Sequence, residues 1–315
     1  MRVAELRHIY TLPAAIASDS ERAAALTEAL GLIKTHTLLA QYKLFFPVAS
    51  ARDAELVASL EAKVVSEMAT LQEKEQDAVA NAGDTEVLNI QLKRASFLAY
   101  TASKSDAMAA YEQCLLKAVG GSARIDMLMS MMRLELSYAD DMQAVAKLLE
   151  RCSALVEKEG DWERRNRLGV YRAVVLLRMR SVDEAVTLLV DAIPTFTCTE
   201  LLSFETLVLF AVISALVSAD RITLKKKVID SPDVIQVIGE IKGLKQLLHA
   251  LYDCKYDVFM RSLIDLAELV QRNRYICMHA EYIPKRARLV VYRQFLRSYQ
   301  SITIKSVRSW LSFCH

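Results

Sequence analysis

Apolar residues recur along this chain at helical spacing almost without interruption. From 51 to 80 the sequence is rich in Ala, Glu, Lys and Leu. Leu56, Leu60 and Val64 fall at i, i+4 and i+8, giving one apolar stripe with charge around the rest of the helix. Breaks are predicted near Pro13, Gly31 and Pro47 and over 81–85, where Gly83 is a candidate helix terminator. Beyond Pro194 the pattern predicts helices over 201–219, 231–240, 242–252, 256–270 and 287–299. Ser231 and Pro232 read as the N-cap and first residue of one of them.

Between these ends a weak repeat is present. Ala107, Ala144 and Ala185 each stand early in a predicted helix, with Tyr111, Leu148 and Leu189 four positions on. The small residue lets a partner helix approach and the larger one fills the groove. A spacing near forty residues with two helices per unit predicts tetratricopeptide-like hairpins in a helical solenoid. The expected fold class is therefore all-α.

Composition narrows this further. Eight glycines and five prolines in 315 residues leave few tight turns, which argues against an all-β or doubly wound fold. With 53% hydrophobic and 25% charged residues, a sizeable core is affordable and disorder is disfavoured. The net charge of +2 carries no nucleic-acid signature. The six cysteines are far apart and form no C-x-x-C pair, so they read as reduced thiols of a cytoplasmic or nuclear protein. The first residues carry Arg2, Glu5 and Arg7 rather than a secretory signal. The apolar run from Leu201 to Val217 is short for a membrane span and includes Ser203, Glu205, Thr206 and Ser214, so a buried helix is expected.

One string stands out: Gly160, Asp161, Trp162, Glu163, Arg164, Arg165, Asn166, Arg167, Leu168. Gly160 is placed to end one helix and Asp161 to cap the next. Arg164, Arg165 and Arg167 then lie near the positive end of the helix dipole, which is unfavourable for cations. That placement predicts carboxylate or carbonyl partners on a neighbouring helix, or else a solvated charge run.

The string resembles a signature of the PCI-domain non-ATPase subunit family of the 26S proteasome regulatory-particle lid. Three further segments resemble motifs of the same family in the same order: 195–201 (TFTCTEL), 251–256 (LYDCKY) and 298–304 (SYQSITI). Weaker similarity reaches the first residues. Glu159 and Gly169 depart from the family, and Gly169 costs up to about 1 kcal/mol in a helix interior.

The resemblance implies a right-handed solenoid leading into a PCI helical module. It divides the chain into N-terminal helices (1–85), tetratricopeptide-like repeats (86–195), the PCI helical part (196–300) and the start of a winged helix (301–315), which ends before its strands. It also implies a non-catalytic scaffold of the lid in cytoplasm and nucleus, supporting ubiquitin-dependent degradation by assembling with other PCI-domain lid subunits. Ile302, Ile304, Val307, Trp310 and Leu311 are the implied subunit interface, while the residues from Gly160 to Leu168 are implied to be structural. The alternative is an RNA-associated PCI subunit of a translation-initiation or COP9-signalosome-type complex.

Residues able to carry chemistry are sparse. His8, His36, His249, His279 and His315 form no H-x-H pair of the deubiquitinating-metalloprotease type, and Cys277 with His279 lacks a second pair of ligands. No P-loop, nucleophile elbow or catalytic Cys–His signature is present, and Gly120-Gly121-Ser122 reads as a turn. No catalytic residue, metal, cofactor, small-molecule substrate or membrane is expected. The basic residues Lys285, Arg286, Arg288, Arg293, Arg297, Lys305 and Arg308 interleave with Leu289, Val290, Val291, Phe295 and Leu296. They read as the solvated or protein-binding face of an amphipathic helix rather than a phosphate-binding stripe.

Overall fold

The computed structural model describes residues 1–138, 141–297 and 301. All regular structure among them is helical, with no strand. Two compact units divide at Asp161/Trp162, inside the GDWERRNRL string.

The first unit holds α1 (Arg2–Thr11), α2 (Asp19–His36), α3 (Leu39–Phe45), α4 (Ala54–Asn81), α5 (Asp84–Thr101), α6 (Lys104–Lys117), α7 (Gly121–Tyr138) and α8 (Met142–Glu159). Its helix starts follow from short polar side chains. Ser18 forms a reciprocal capping box with Glu21, Ser103 caps α6, and the carboxylates of Asp53 and Asp141 accept from the first free amides of α4 and α8. Consecutive helices pair as antiparallel neighbours: α1 with α2, α5 with α6, α7 with α8. Val3, Ile33, Leu39, Tyr42 and Leu60 form one core cluster, and Leu6, Ala25, Ala29 and Phe45 a second. In α7, Met127, Met129, Met131 and Met132 are all buried, pliable side chains that fill irregular space between helices.

The second unit holds α9 (Trp162–Arg178), α10 (Val182–Ala192), α11 (Phe204–Ser218), α12 (Arg221–Thr223), a π-helical turn (Leu224–Ile229), α13 (Pro232–Ile238), α14 (Leu244–Tyr252), α15 (Tyr256–Arg272) and α16 (Tyr282–Leu296). The apolar run resolves as α11, in which every residue from Leu207 to Val217 is buried. Helices α10, α13, α14 and α16 pack against it. Among the described residues no helix is long and apolar enough to cross a membrane.

The alanine pattern falls where expected. Ala107, Ala144 and Ala185 lie in the first turns of α6, α8 and α10, with Tyr111, Leu148 and Leu189 buried four positions later. Ala107 and Ala185 are fully buried, while Ala144 is half-buried and Val145 takes the core position beside it.

Two breaks are corrected. Gly31 lies inside α2, exposed and with open space around it, so the helix tolerates it. Gly83 does not end α4; Ala82 does, and Gly83 is the N-cap of α5. The helix expected over 287–299 begins earlier, at Tyr282, because Pro284 fits a first turn that needs no amide at that position. Its buried stripe is Ile283, Ala287, Val291 and Phe295, and Leu289 and Leu296 face solvent.

Candidate functional site

The GDWERRNRL string spans the end of α8 and the first turns of α9. Gly160 is the C-cap of α8, its amide bonded to Val156 O at 2.9 Å. A Cβ at Gly160 would meet that same carbonyl at 2.5 Å, so a side chain there conflicts with the backbone. Within α9, Leu168, Tyr171, Val174 and Val175 are buried. Trp162 stands 62% exposed in the first turn, Arg165 is exposed, and the Asn166 amide nitrogen is buried with no hydrogen-bond partner among the described residues.

Arg167 turns inward to a carboxylate. Its Nε and Nη2 both donate to Glu200 Oε1, at 2.9 and 2.7 Å, with the two side chains 18% and 26% exposed. Tyr171 Oη donates to the same oxygen at 3.5 Å and the buried Cys198 Sγ lies 3.6 Å away. The expected carboxylate partner is thus present, but on a loop rather than on a helix. That loop is the TFTCTEL segment. It follows a 3₁₀ turn at Ile193–Thr195, which holds Pro194, and folds back through Leu201 N and Leu202 N to Cys198 O. Leu201 and Leu202 are buried, the rings of Phe196 and Phe204 lie 5.8 Å apart, and Ser203 caps α11. A charge-assisted pair therefore ties the start of α9 to the entry of α11, joining two motifs more than thirty residues apart.

The LYDCKY segment builds a second node. Cys254 ends α14 in the left-handed region at φ 60°, with Lys255 N bonded to Ala250 O at 2.9 Å and Cys254 N to Leu251 O at 3.4 Å. This is the Schellman arrangement, in which glycine is the default. Arg221 lies over the Tyr252 ring at 4.4 Å and donates to Tyr252 O at 2.7 Å. Gln294 Nε2, from α16, donates to Cys254 Sγ at 3.1 Å. Burial pushes the Cys254 thiol up, but hydrogen bonds from Tyr256, Arg221 and Gln294 outweigh it and hold the thiol below its ordinary range. Burial, aided by Cys254, pushes Tyr256 up to about 12.

Cys277 and His279 share a 3₁₀ turn but serve different partners. His279 is 3% exposed and its Nε2 faces Leu177 O at 2.9 Å and Arg178 O at 3.2 Å, closing the end of α9. Cys277 Sγ donates to Arg274 O. No group of three His, Cys, Asp or Glu residues suits a metal ion among the described residues. In the basic run, Lys285 pairs with Glu281 and Arg286 with Asp183. The expected interface residues Ile302, Ile304, Val307, Trp310 and Leu311 lie outside the described residues, as do 298–300 and 302–304 of the fourth motif.

Of the residues that build these nodes, Glu200 stood inside a quoted motif without an assigned role, and Arg221 and Gln294 carried no sequence signal at all.

Residues 53–227 match the family described as 26S proteasome subunit RPN7. The chain is 32% identical over 292 residues to the 26S proteasome non-ATPase regulatory subunit 6 homolog of Arabidopsis thaliana, covering 92% of this chain and 75% of that protein. It is 32% identical over 292 residues to the 26S proteasome regulatory subunit rpn7 of Schizosaccharomyces pombe, covering 90% and 73%. For regulatory subunit RPN7 of Saccharomyces cerevisiae the identity is 32% over 259 residues, covering 81% and 59%. On these matches, the chain belongs to the 26S proteasome subunit RPN7 family.

Proposed function

We propose that this chain is a non-catalytic scaffold subunit of the 26S proteasome lid, acting in cytoplasm and nucleus. Its helical hairpins form a right-handed solenoid that leads into a PCI helical module, with boundaries near 85, 195 and 300. Its partners are other PCI-domain lid subunits, and its contribution to ubiquitin-dependent degradation is to hold them in place.

One observation carries this reading beyond family membership. The two family-like motifs around Arg167 and Glu200 are joined by a charge-assisted pair that ties the start of α9 to the entry of α11. A residue constellation used this way suits a part whose output is shape. Ile302, Ile304, Val307, Trp310 and Leu311 are proposed as interface residues on the resemblance alone, and Gly160 to Leu168 as structural.

The test is affinity purification of the tagged chain from its own cells. Stoichiometric recovery of proteasome lid subunits supports the proposal. Recovery of initiation-factor or ribosomal proteins instead would sink it.

A further inference from the structure

Arg180, Gln271, Met278, Glu281, Tyr282 and Lys285 line a solvent-open hollow of about 480 Å³ on the second unit. Sites for small ligands span roughly 300–1,000 Å³. The lining converges from three places: the turn after α9, the end of α15, and the 3₁₀ turn with the first turn of α16.

The charge here is unbalanced. Among the described residues no carboxylate pairs with Arg180; its guanidinium lies 4.8 Å from the centre of the Tyr282 ring and its Nε sits 3.4 Å from His279 Nδ1. His279 supplies no counter-charge, since burial holds its pKa below the ordinary value and favours the neutral ring. Arg178, two residues earlier, also has no carboxylate among the described residues. Its Nη1 donates to Arg274 O at 3.3 Å and its Nε is buried with no partner among the described residues. Burial and the neighbouring Arg274 guanidinium both oppose its charge. Lys285 reaches Glu281 at 3.2 Å, but both side chains are largely exposed, so that pair is easily exchanged for a better one. Arg286 approaches the same Tyr282 ring at 5.9 Å, but it is already paired with Asp183 at 3.0 Å.

The backbone adds a second indication. Arg180 occupies the left-handed position that ends α9, at φ 66°, with Ser181 N bonded to Leu176 O and Arg180 N to Leu177 O. Glycine is the residue this Schellman position favours, and here it holds an arginine that lines the hollow.

We propose that this hollow binds a compact phosphate-bearing anion, gripped by Arg180 and Lys285 beside the Tyr282 ring. A guanidinium and an ammonium group lining one open hollow suit a small ligand that carries several charges on neighbouring oxygens. An extended acidic peptide or an RNA strand needs a groove or a linear stripe.

The test is calorimetric titration of the full chain with inorganic tripolyphosphate at physiological salt, with citrate, a polyglutamate peptide and a single-stranded RNA as comparisons. Saturable binding of tripolyphosphate at one site is expected, weakened at least tenfold in Arg180→Gln and in Lys285→Gln. Glu281→Gln should tighten it, by removing a repelling carboxylate and releasing Lys285. Arg180→Gly separates binding from folding: glycine suits the backbone, so the melting temperature should hold or rise while binding falls at least tenfold. Absence of saturable binding, indifference to these substitutions, or tighter saturable binding of citrate, the peptide or the RNA overturns the proposal.

Discussion

Breaking the Arg167–Glu200 pair should cost the second unit more than any exposed ion pair of the chain. Both side chains are mostly buried, and two N–H groups converge on one carboxylate oxygen at 2.7–2.9 Å. Exposed pairs contribute about 0–1 kcal/mol. Removing one partner of a fully buried pair costs about 3–5 kcal/mol. The observed burial lies between these limits, nearer the second. Hydrogen bonds to charged groups contribute about 1.5–3 kcal/mol, so a coupling energy of about 1.5–2.5 kcal/mol is expected. The perturbation is a double-mutant cycle of Arg167→Met, which keeps the apolar stem, and Glu200→Gln, which keeps the shape. Urea unfolding followed by circular dichroism reads the four proteins, and the cycle cancels effects common to both substitutions. Thermal melts should agree, with each single variant lowered by about 2–4 °C per kcal/mol for a unit of this size. A coupling below about 0.5 kcal/mol would show that the pair is solvated and does not tie α9 to the entry of α11.

Three further outcomes follow from the same structure. Gly169→Ala should stabilise the chain by about 0.5–1 kcal/mol in urea unfolding, since the site is mid-helix and a Cβ there meets nothing within 4 Å. Gly160→Ala should destabilise it by about 1–3 kcal/mol in the same assay, because the added carbon meets Val156 O. His279 has a folded pKa held below its unfolded value by burial. Its contribution to stability is therefore fully present above the unfolded pKa near 6.5 and declines as pH falls below it, by at most about 1.4 kcal/mol per pH unit. A urea series from pH 7.5 to 5 should show this slope, and His279→Gln should flatten it.

Much of the fold was legible because helices announce themselves locally. The stripe of Leu56, Leu60 and Val64 and the small-then-large pattern at Ala107 and Tyr111 are short-range signals that the packing follows. The misplaced break at Gly31 has a simple cause: an exposed glycine weakens a helix by about 1 kcal/mol, which packing on Ala25, Ala29 and Ile33 offsets. α16 begins five residues before the expected 287, at Tyr282, since the first turn of a helix accepts Pro284. At the candidate site, the inward pull on an arginine near the start of α9 was legible from the helix dipole, while its partner was not. Glu200 lies 33 residues on, in a loop, and no periodicity encodes that distance. Arg180, Cys254 and Thr37 are harder still. Each adopts a left-handed backbone in which glycine is expected, so composition points away from the turn that forms. Trp162 is the reverse case, a large aromatic that looks like a core residue and is exposed.

The central claim is that this chain works as a structural part of the proteasome lid. Mass spectrometry of complexes purified through the tagged chain, expressed at its natural level in its own cells, tests it most directly. The account predicts lid subunits in near-equal amounts with the chain, and loss of that recovery in step with destabilisation when Arg167 or Glu200 is changed. A chain recovered alone, or with translation-initiation proteins in place of the lid, would contradict it.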